Sequence, residues 1–233
     1  MPHKPNKRFW LLPAIAASAV LMAFAGWMAL IFAPTEQSMG DLQRIFYFHV
    51  PSAWISFLAF FIVCMASIAY LVNRNPKWDL LAASSAEIGV LFITLVLITG
   101  PLWAKPRWNT YWTWDARLTT SLILWMIYIG YLFIRSFTKM QARGSTLAAV
   151  YGIIGFVDVP IVYFSIRWWR NLHPGAVIAS SSGGLATEML IALLAALLAF
   201  TSLYAVLLYL WYQYLHLEHQ LYAWKSNRSG GFE

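Results

Sequence analysis

Ile45-Phe-Tyr-Phe-His-Val-Pro-Ser-Ala-Trp-Ile-Ser-Phe-Leu-Ala-Phe-Phe-Ile-Val-Cys-Met-Ala-Ser-Ile-Ala-Tyr-Leu-Val-Asn73 runs for 29 residues without a charged side chain. A helix rises about 1.5 Å per residue and a hydrocarbon layer is about 30 Å thick, so roughly 20 apolar residues cross it. This run is therefore one spanning helix and too short for two. Working outward, the same reading applies to 27 residues from Phe9 to Thr35, to 25 from Leu80 to Ala104 (broken only by Glu87), and to 29 from Met189 to Leu217. Gly144 to Ile166 adds 23 residues, broken only by Asp158, and Leu118 to Ile134 adds 17, bounded by arginines whose stems can snorkel. Lipid offers a backbone no partners, so spanning segments are helices or closed barrels, and the period-2 alternation of a barrel is absent. The expectation is an all-α, polytopic integral membrane protein: one domain over 1–233, with six transmembrane helices.

Composition excludes the other broad classes. Of 233 residues, 61% are hydrophobic and 11% charged, against about 25% charged in soluble domains. The net charge of +7 is scattered between apolar runs, which favours topology over nucleic-acid binding. Cys64 is the single cysteine, so neither an internal disulfide nor a Cys-x-x-Cys site exists. Ala23-Phe24-Ala25 loosely fits a signal cleavage site, but the apolar stretch continues to Ala33, too long for a signal core, so an uncleaved first helix is expected.

Lys and Arg set the orientation. With the N-terminus inside, the inner segments hold ten (Lys4, Lys7, Arg8, Arg74, Lys77, Arg135, Lys139, Arg143, Lys225, Arg228) and the outer six (Arg44, Lys105, Arg107, Arg117, Arg167, Arg170). The bias places both termini in the cytoplasm. Five of the outer six crowd into two loops, which implies a use for them there. Whatever the orientation, loops one, three and five share a side. Loop one runs into His49, loop three is the segment 101–117, and loop five, 167–188, carries Arg167-Trp168-Trp169-Arg170-Asn171-Leu172-His173. His3, His216 and His219 fall on the other side, the last two in a tail read as frayed.

Loop three is Pro101-Leu-Trp103-Ala-Lys105-Pro-Arg107-Trp108-Asn-Thr-Tyr111-Trp112-Thr-Trp114-Asp115-Ala-Arg117. Trp108 with Trp112 and Tyr111 with Asp115 have i,i+4 spacing, so a short helix lying on the membrane would present a flat aromatic surface. Such a surface suits a large planar apolar ligand, and Lys105, Arg107, Arg117 and Arg167 beside it suit carboxylates. Two histidines suit a metal at the centre of that plane as axial ligands. Together these describe haem. The plainer alternatives are an interfacial aromatic belt, interfacial histidines, and outer arginines such as Arg44 and Arg170 contacting lipid phosphates.

Trp103-Ala-Lys-Pro-Arg-Trp108-Asn-Thr-Tyr-Trp112-Thr-Trp114-Asp115-Ala-Arg117-Leu-Thr119 resembles the tryptophan-rich WWD signature of haem-handling proteins, and the chain as a whole resembles the haem exporter protein C (CcmC) family of the system I cytochrome c maturation machinery. The likeness extends to six helices, a histidine opening the second, and Trp168-Trp169 followed by Leu172-His173. It departs at Ala104 and Asn109, where the family commonly has Gly, and at Tyr111, where it has Trp. The resemblance implies a non-enzymatic role in the bacterial inner (cytoplasmic) membrane. Haem b would be held non-covalently at the periplasmic face, with His49 and His173 as axial ligands to the iron. It would then pass to a membrane-anchored periplasmic haem chaperone, CcmE. The implied partners are an ATP-binding subunit (CcmA), a second membrane subunit (CcmB), a small single-span protein (CcmD) and the lipid bilayer. No G-x-x-x-x-G-K-[ST] loop is present, so ATP hydrolysis falls to a partner.

Three further expectations follow. Glu87 and Asp158, each costing about 2.5–3.5 kcal/mol at mid-bilayer, should face the bundle interior, a partner helix or, for Glu87, the near interface. Asp158, with Pro160 two residues on, should hydrogen-bond within the bundle at a kink below loop five. Ser180-Ser-Ser-Gly-Gly184 should let loop five move to admit or release haem. The rival readings are a channel or transporter for haem or another solute, a haem-bearing anchor of an electron-transfer complex, and a protein-docking Trp segment.

Overall fold

The computed structural model describes residues 9–138, 142–169 and 185–229, excepting the side chains of Arg107, Ala142 and residues 226–229. Most of the fifth-loop expectation, His173 and Arg170 included, lies outside these residues, as do Lys139 and the first eight residues. The described chain is helical, without strands beyond one isolated bridge between Glu36 and Gly40. Six segments are long and apolar enough to cross a membrane: Leu11–Phe32, Asp41–Asn73, Pro76–Pro106, Ala116–Thr138, Arg143–Trp168 and Thr187–Lys225. Each contains or overlaps one of the uncharged runs.

Helix α1 (Leu11–Trp27) ends in a π turn, Met28–Phe32. Its last carbonyls find a partner at a distance: the Arg44 guanidinium donates to Ala29 O at 2.8 Å and Ala33 O at 3.2 Å while pairing with Asp41 at 3.1 Å. A cation there satisfies orphan acceptors and opposes the helix dipole, so Arg44 works within the fold rather than on lipid phosphate. A 3-10 turn, Asp41–Ile45, leads into α2 (Phe46–Asn73).

Helices α2 and α3 (Pro76–Trp108) form a tight antiparallel hairpin. Arg74 turns the chain at φ 55°, and Asn75 caps α3 by accepting from Lys77 N at 3.1 Å with Pro76 at the first helical position, each residue in the place that favours it. The two helices approach closely because small residues line the seam. Ser85 donates to the Ala59 carbonyl at 2.8 Å, and a Cβ added at Gly89 would lie 2.6 Å from Phe60 Cε1. Small residues and interhelical hydrogen bonds supply this contact where lipid removes the usual hydrophobic drive.

Helix α4 (Ala116–Thr138) turns Ser121, Leu124, Tyr128 and Tyr131 inward. The Tyr128 ring stacks on Phe60 at 3.7 Å. Its far end is locked by a bidentate pair from Arg135 to Asp79 of α3, at 2.5 and 3.2 Å, with Ser145 donating to the same carboxylate at 2.9 Å. The fifth span is two helices, α5 (Ala142–Phe156) and α6 (Asp158–Trp168), broken at Val157. Pro160 sits in the first turn of α6, where a missing N–H is tolerated, and the helix is interrupted at the place expected for a kink. The expected Asp158 hydrogen bond is not seen: the residue is buried and its Oδ2 has no partner among the described residues.

The last helix, α7 (Thr187–Ser229), has 43 residues, about 65 Å at 1.5 Å each, and extends well past one membrane thickness. The expected frayed tail is helical through His216 and His219. Helix α7 is fastened to the hairpin by Tyr204 to Ser85 at 2.7 Å, by Trp54 donating to Thr201 at 3.2 Å, and by Trp211 donating to Glu87 at 2.8 Å. Glu87 thus faces a neighbouring helix.

Gly89→Ala is expected to displace Phe60 and cost about 1–3 kcal/mol, the usual penalty of overpacking, visible as a lower unfolding midpoint in detergent. Gly26→Ala, where an added Cβ meets nothing within 4 Å, is expected to be neutral or slightly stabilising.

Candidate functional site

The far end of the α2–α3 hairpin brings sequence-predicted residues together. His49, in the first turn of α2, places Nδ1 2.8 Å from Thr99 Oγ1 on α3. Its ring packs beside Gly100, where an added Cβ would stand 3.4 Å from His49 Cε1, in ordinary van der Waals contact. Trp103 lies one turn beyond Thr99 on the same face of α3, so the first indole of the Trp segment follows directly from the residue that holds the imidazole.

The segment itself differs from the surface-lying helix expected. Helix α3 continues through Trp108 and stops at Asn109, which adopts φ 54°. Residues 109–115 are an irregular turn, so Trp108 and Trp112 do not share a helix face. The stop is chemical. Asparagine tolerates the left-handed conformation that glycine prefers, and Lys105 Nζ donates to both the carbonyl and Oδ1 of Asn109 at 3.0 Å. The Lys105 ammonium also stands 5.3 Å from the centre of the Tyr111 ring. Instead of one flat plate there are two edge-to-face pairs, Trp103–Trp108 at 78° and Trp112–Trp114 at 80°, each at 5.6 Å. Trp114 has φ 53°, a conformation costing an aromatic residue about 1–3 kcal/mol and typical of functional turns. Trp114 and Tyr111 are strongly exposed.

Asp115 opens α4. Its Oδ1 accepts from Leu118 N at 3.0 Å and its Oδ2 from the Thr113 hydroxyl at 2.8 Å, an N-cap and a turn brace in one side chain. Two residues on, Arg117 is half-buried, with Asp115 and Tyr163 of α6 as the ionisable groups acting on it. Among the described residues it makes no ion pair or hydrogen bond. Trp112 Nε1 and Thr119 Oγ1 are likewise buried without a partner there. Orphaned buried donors are rare in a finished structure, and these two, with the half-buried Arg117 between them in the chain, suit an anionic ligand. The end of α6 completes the face: Phe164 stacks on Trp168 at 5.4 Å, Arg167 stands 5.9 Å from the Phe164 ring centre, and Trp168 and Trp169 are exposed. Among the described residues, no group of three or more His, Cys, Asp or Glu could hold a metal ion. Thr99 was not singled out in the sequence. Its role depends on the register of α2 against α3, which no local pattern reveals.

These features define a multi-pass membrane protein with a candidate ligand site at one end of the helix bundle, built from an anchored imidazole, exposed indoles and a guanidinium without an ion partner among the described residues. Among known proteins, the family described as "Heme exporter protein C" matches residues 6–225. The chain is 38% identical over 198 residues to "Heme exporter protein C" of Bradyrhizobium diazoefficiens, covering 84% of this chain and 75% of that one. To the Escherichia coli (strain K12) protein of the same name it is 36% identical over 169 residues, covering 72% and 69%. It is also 37% identical over 171 residues to a "Putative cytochrome c biosynthesis ccmC-like mitochondrial protein" of Marchantia polymorpha, covering 73% and 72%. The chain belongs to the haem exporter protein C family.

Asp115→Ala is expected to lower stability by about 1 kcal/mol through loss of the cap, while Asp115→Asn, an equally good cap, keeps the unfolding midpoint. Haem binding measured on the Asn variant separates the two uses of the side chain: if the carboxylate acts only on the turn, affinity is retained.

Proposed function

We propose that this protein takes part in haem export for cytochrome c maturation by holding haem at the periplasmic face of the bacterial inner membrane and passing it to the periplasmic haem chaperone, CcmE. The observation that carries the reading is His49, an imidazole seated on Thr99 at the bundle end from which the Trp segment emerges. Family membership supports it, as do the relatives' names. In this reading haem is cargo and the chain binds and releases it without making bonds, so the protein is not an enzyme. His49 supplies one axial ligand and His173 the other. The indoles of Trp103, Trp108, Trp112 and Trp114, with Tyr111, cover the apolar macrocycle. Arg117, with Trp112 Nε1 and Thr119 Oγ1 nearby in the chain, answers a propionate, and Arg167 a second. Lys105 and Asp115 hold the turn in shape. The iron redox state tunes release, because bis-histidine ligation must be broken or shared at handover. Both termini lie in the cytoplasm, and CcmA, CcmB and CcmD are the membrane partners, CcmA supplying ATP hydrolysis.

The transporter reading draws on a cavity of about 790 Å³ at the opposite bundle end, lined by Arg74, Asp79, Glu87, Arg135, Glu218 and His219 among others. Those charges are largely engaged already: Arg135 with Asp79, Glu87 with Trp211, and Arg74 with Thr146 at 2.7 Å. The buried Phe60, Ile93, Leu124 and Tyr128 fill the bundle's middle. Binding at the His49 end is the better-supported function.

Purified protein loaded with haem is expected to show a bis-histidine optical spectrum that His49→Ala and His173→Ala each abolish. Arg117→Ala is expected to weaken haem binding about tenfold or more, the worth of one charge-assisted hydrogen bond. Retention of the spectrum in either histidine variant rejects the assignment.

A further inference from the structure

Thr99 makes two hydrogen bonds with one hydroxyl. Its Oγ1 lies 2.6 Å from the Leu95 carbonyl one turn back and 2.8 Å from His49 Nδ1. A carbonyl can only accept, so the single hydroxyl proton goes to Leu95. Toward His49 the oxygen is then the acceptor, and the proton between them belongs to Nδ1. In the neutral ring this leaves the lone pair on Nε2. The Thr99 rotamer is itself constrained, by β-branching and by the Leu95 bond within a rigid helix.

We propose that Thr99 is a positioning residue that fixes the tautomer and ring orientation of His49, so that Nδ1 carries the proton and Nε2 is the nitrogen that ligates haem. The proposal rests on the reading of His49 as a ligand for its consequence, although the tautomer itself is a property of the haem-free protein. An outer partner of this kind removes the cost of selecting one tautomer and one ring angle at the moment of binding, and makes the coordinating nitrogen more electron-rich. The partner is a neutral hydroxyl rather than a carboxylate, which moderates that second effect and suits a site that must release its cargo.

The test is nitrogen NMR of the full-length, haem-free protein with labelled histidine, the His49 signals being assigned by their loss in His49→Ala. The wild type is expected to show a protonated Nδ1 and an unprotonated Nε2. Thr99→Val, nearly isosteric but without an acceptor, is expected to give a mixture of tautomers, and to weaken haem binding about 10- to 100-fold, the usual cost of losing such a partner. Thr99→Ser, which restores the hydroxyl, is expected to recover most of both. If Thr99→Val does not fold, Thr99→Ala and Thr99→Ser make the same comparison. A wild-type ring protonated on Nε2, or unchanged tautomer and affinity in a folded hydroxyl-free variant, overturns the proposal. His49→Ala keeping its haem spectrum overturns the ligand reading instead and leaves the tautomer result standing, so the two failures are distinguishable.

Discussion

The Ser85 hydroxyl of α3 reaches the Ala59 carbonyl of α2 at 2.8 Å, and one turn on, Gly89 leaves room for the Phe60 ring. That approach decides more than the stability of one hairpin. His49 and Thr99 stand about 25 residues either side of the Arg74–Asn75 turn, close to 40 Å of helix away. Over such a length a slip of one residue along the seam would carry the imidazole about 100° around the helix relative to Thr99. The bulky neighbours are held by the same contact, since Phe60 stacks on Tyr128 and Ser85 is shared with Tyr204. The small-residue seam is therefore what aims a side chain at the far end of the bundle.

At that far end the regular structure stops, and it stops by design of the residues. Lys105 and Asn109 close α3, Asp115 opens α4, and the seven residues between are held out of helical form with Trp114 in a strained conformation. Edge-to-face indole pairs give a ridged surface with exposed rings rather than a sealed pocket. A surface of this kind suits an apolar ligand that must be both gripped and surrendered. Arg117, half-buried and without an ion partner among the described residues, is the cation that the proposed function assigns to a propionate.

The spans were legible because lipid leaves little choice: uncharged runs of about the bilayer's thickness fold as helices, and each of the six did so. The convergence of loops one and three was also legible, since alternation alone puts them on one side. The shape of the Trp segment was not. The i,i+4 spacing of Trp108 and Trp112 reads as a helix, but the left-handed Asn109, stapled by Lys105, overrides it. Asp158 was read as hydrogen-bonded, yet it is buried with Oδ2 unpartnered among the described residues; burial of an acid does not guarantee it a partner. Arg44 illustrates the converse, since an arginine at a helix end looks like a lipid anchor until a neighbouring helix terminus offers its carbonyls. Thr99 had no signal of its own, because tertiary register alone gives it meaning.

The central claim is that the imidazole aimed by this hairpin ligates haem iron together with a second histidine. Low-temperature electron paramagnetic resonance of the purified wild-type protein loaded with ferric haem addresses it directly. A low-spin spectrum with hyperfine coupling to two imidazole nitrogens is the predicted result. A high-spin spectrum, or one lacking a coordinated histidine nitrogen, would contradict the account.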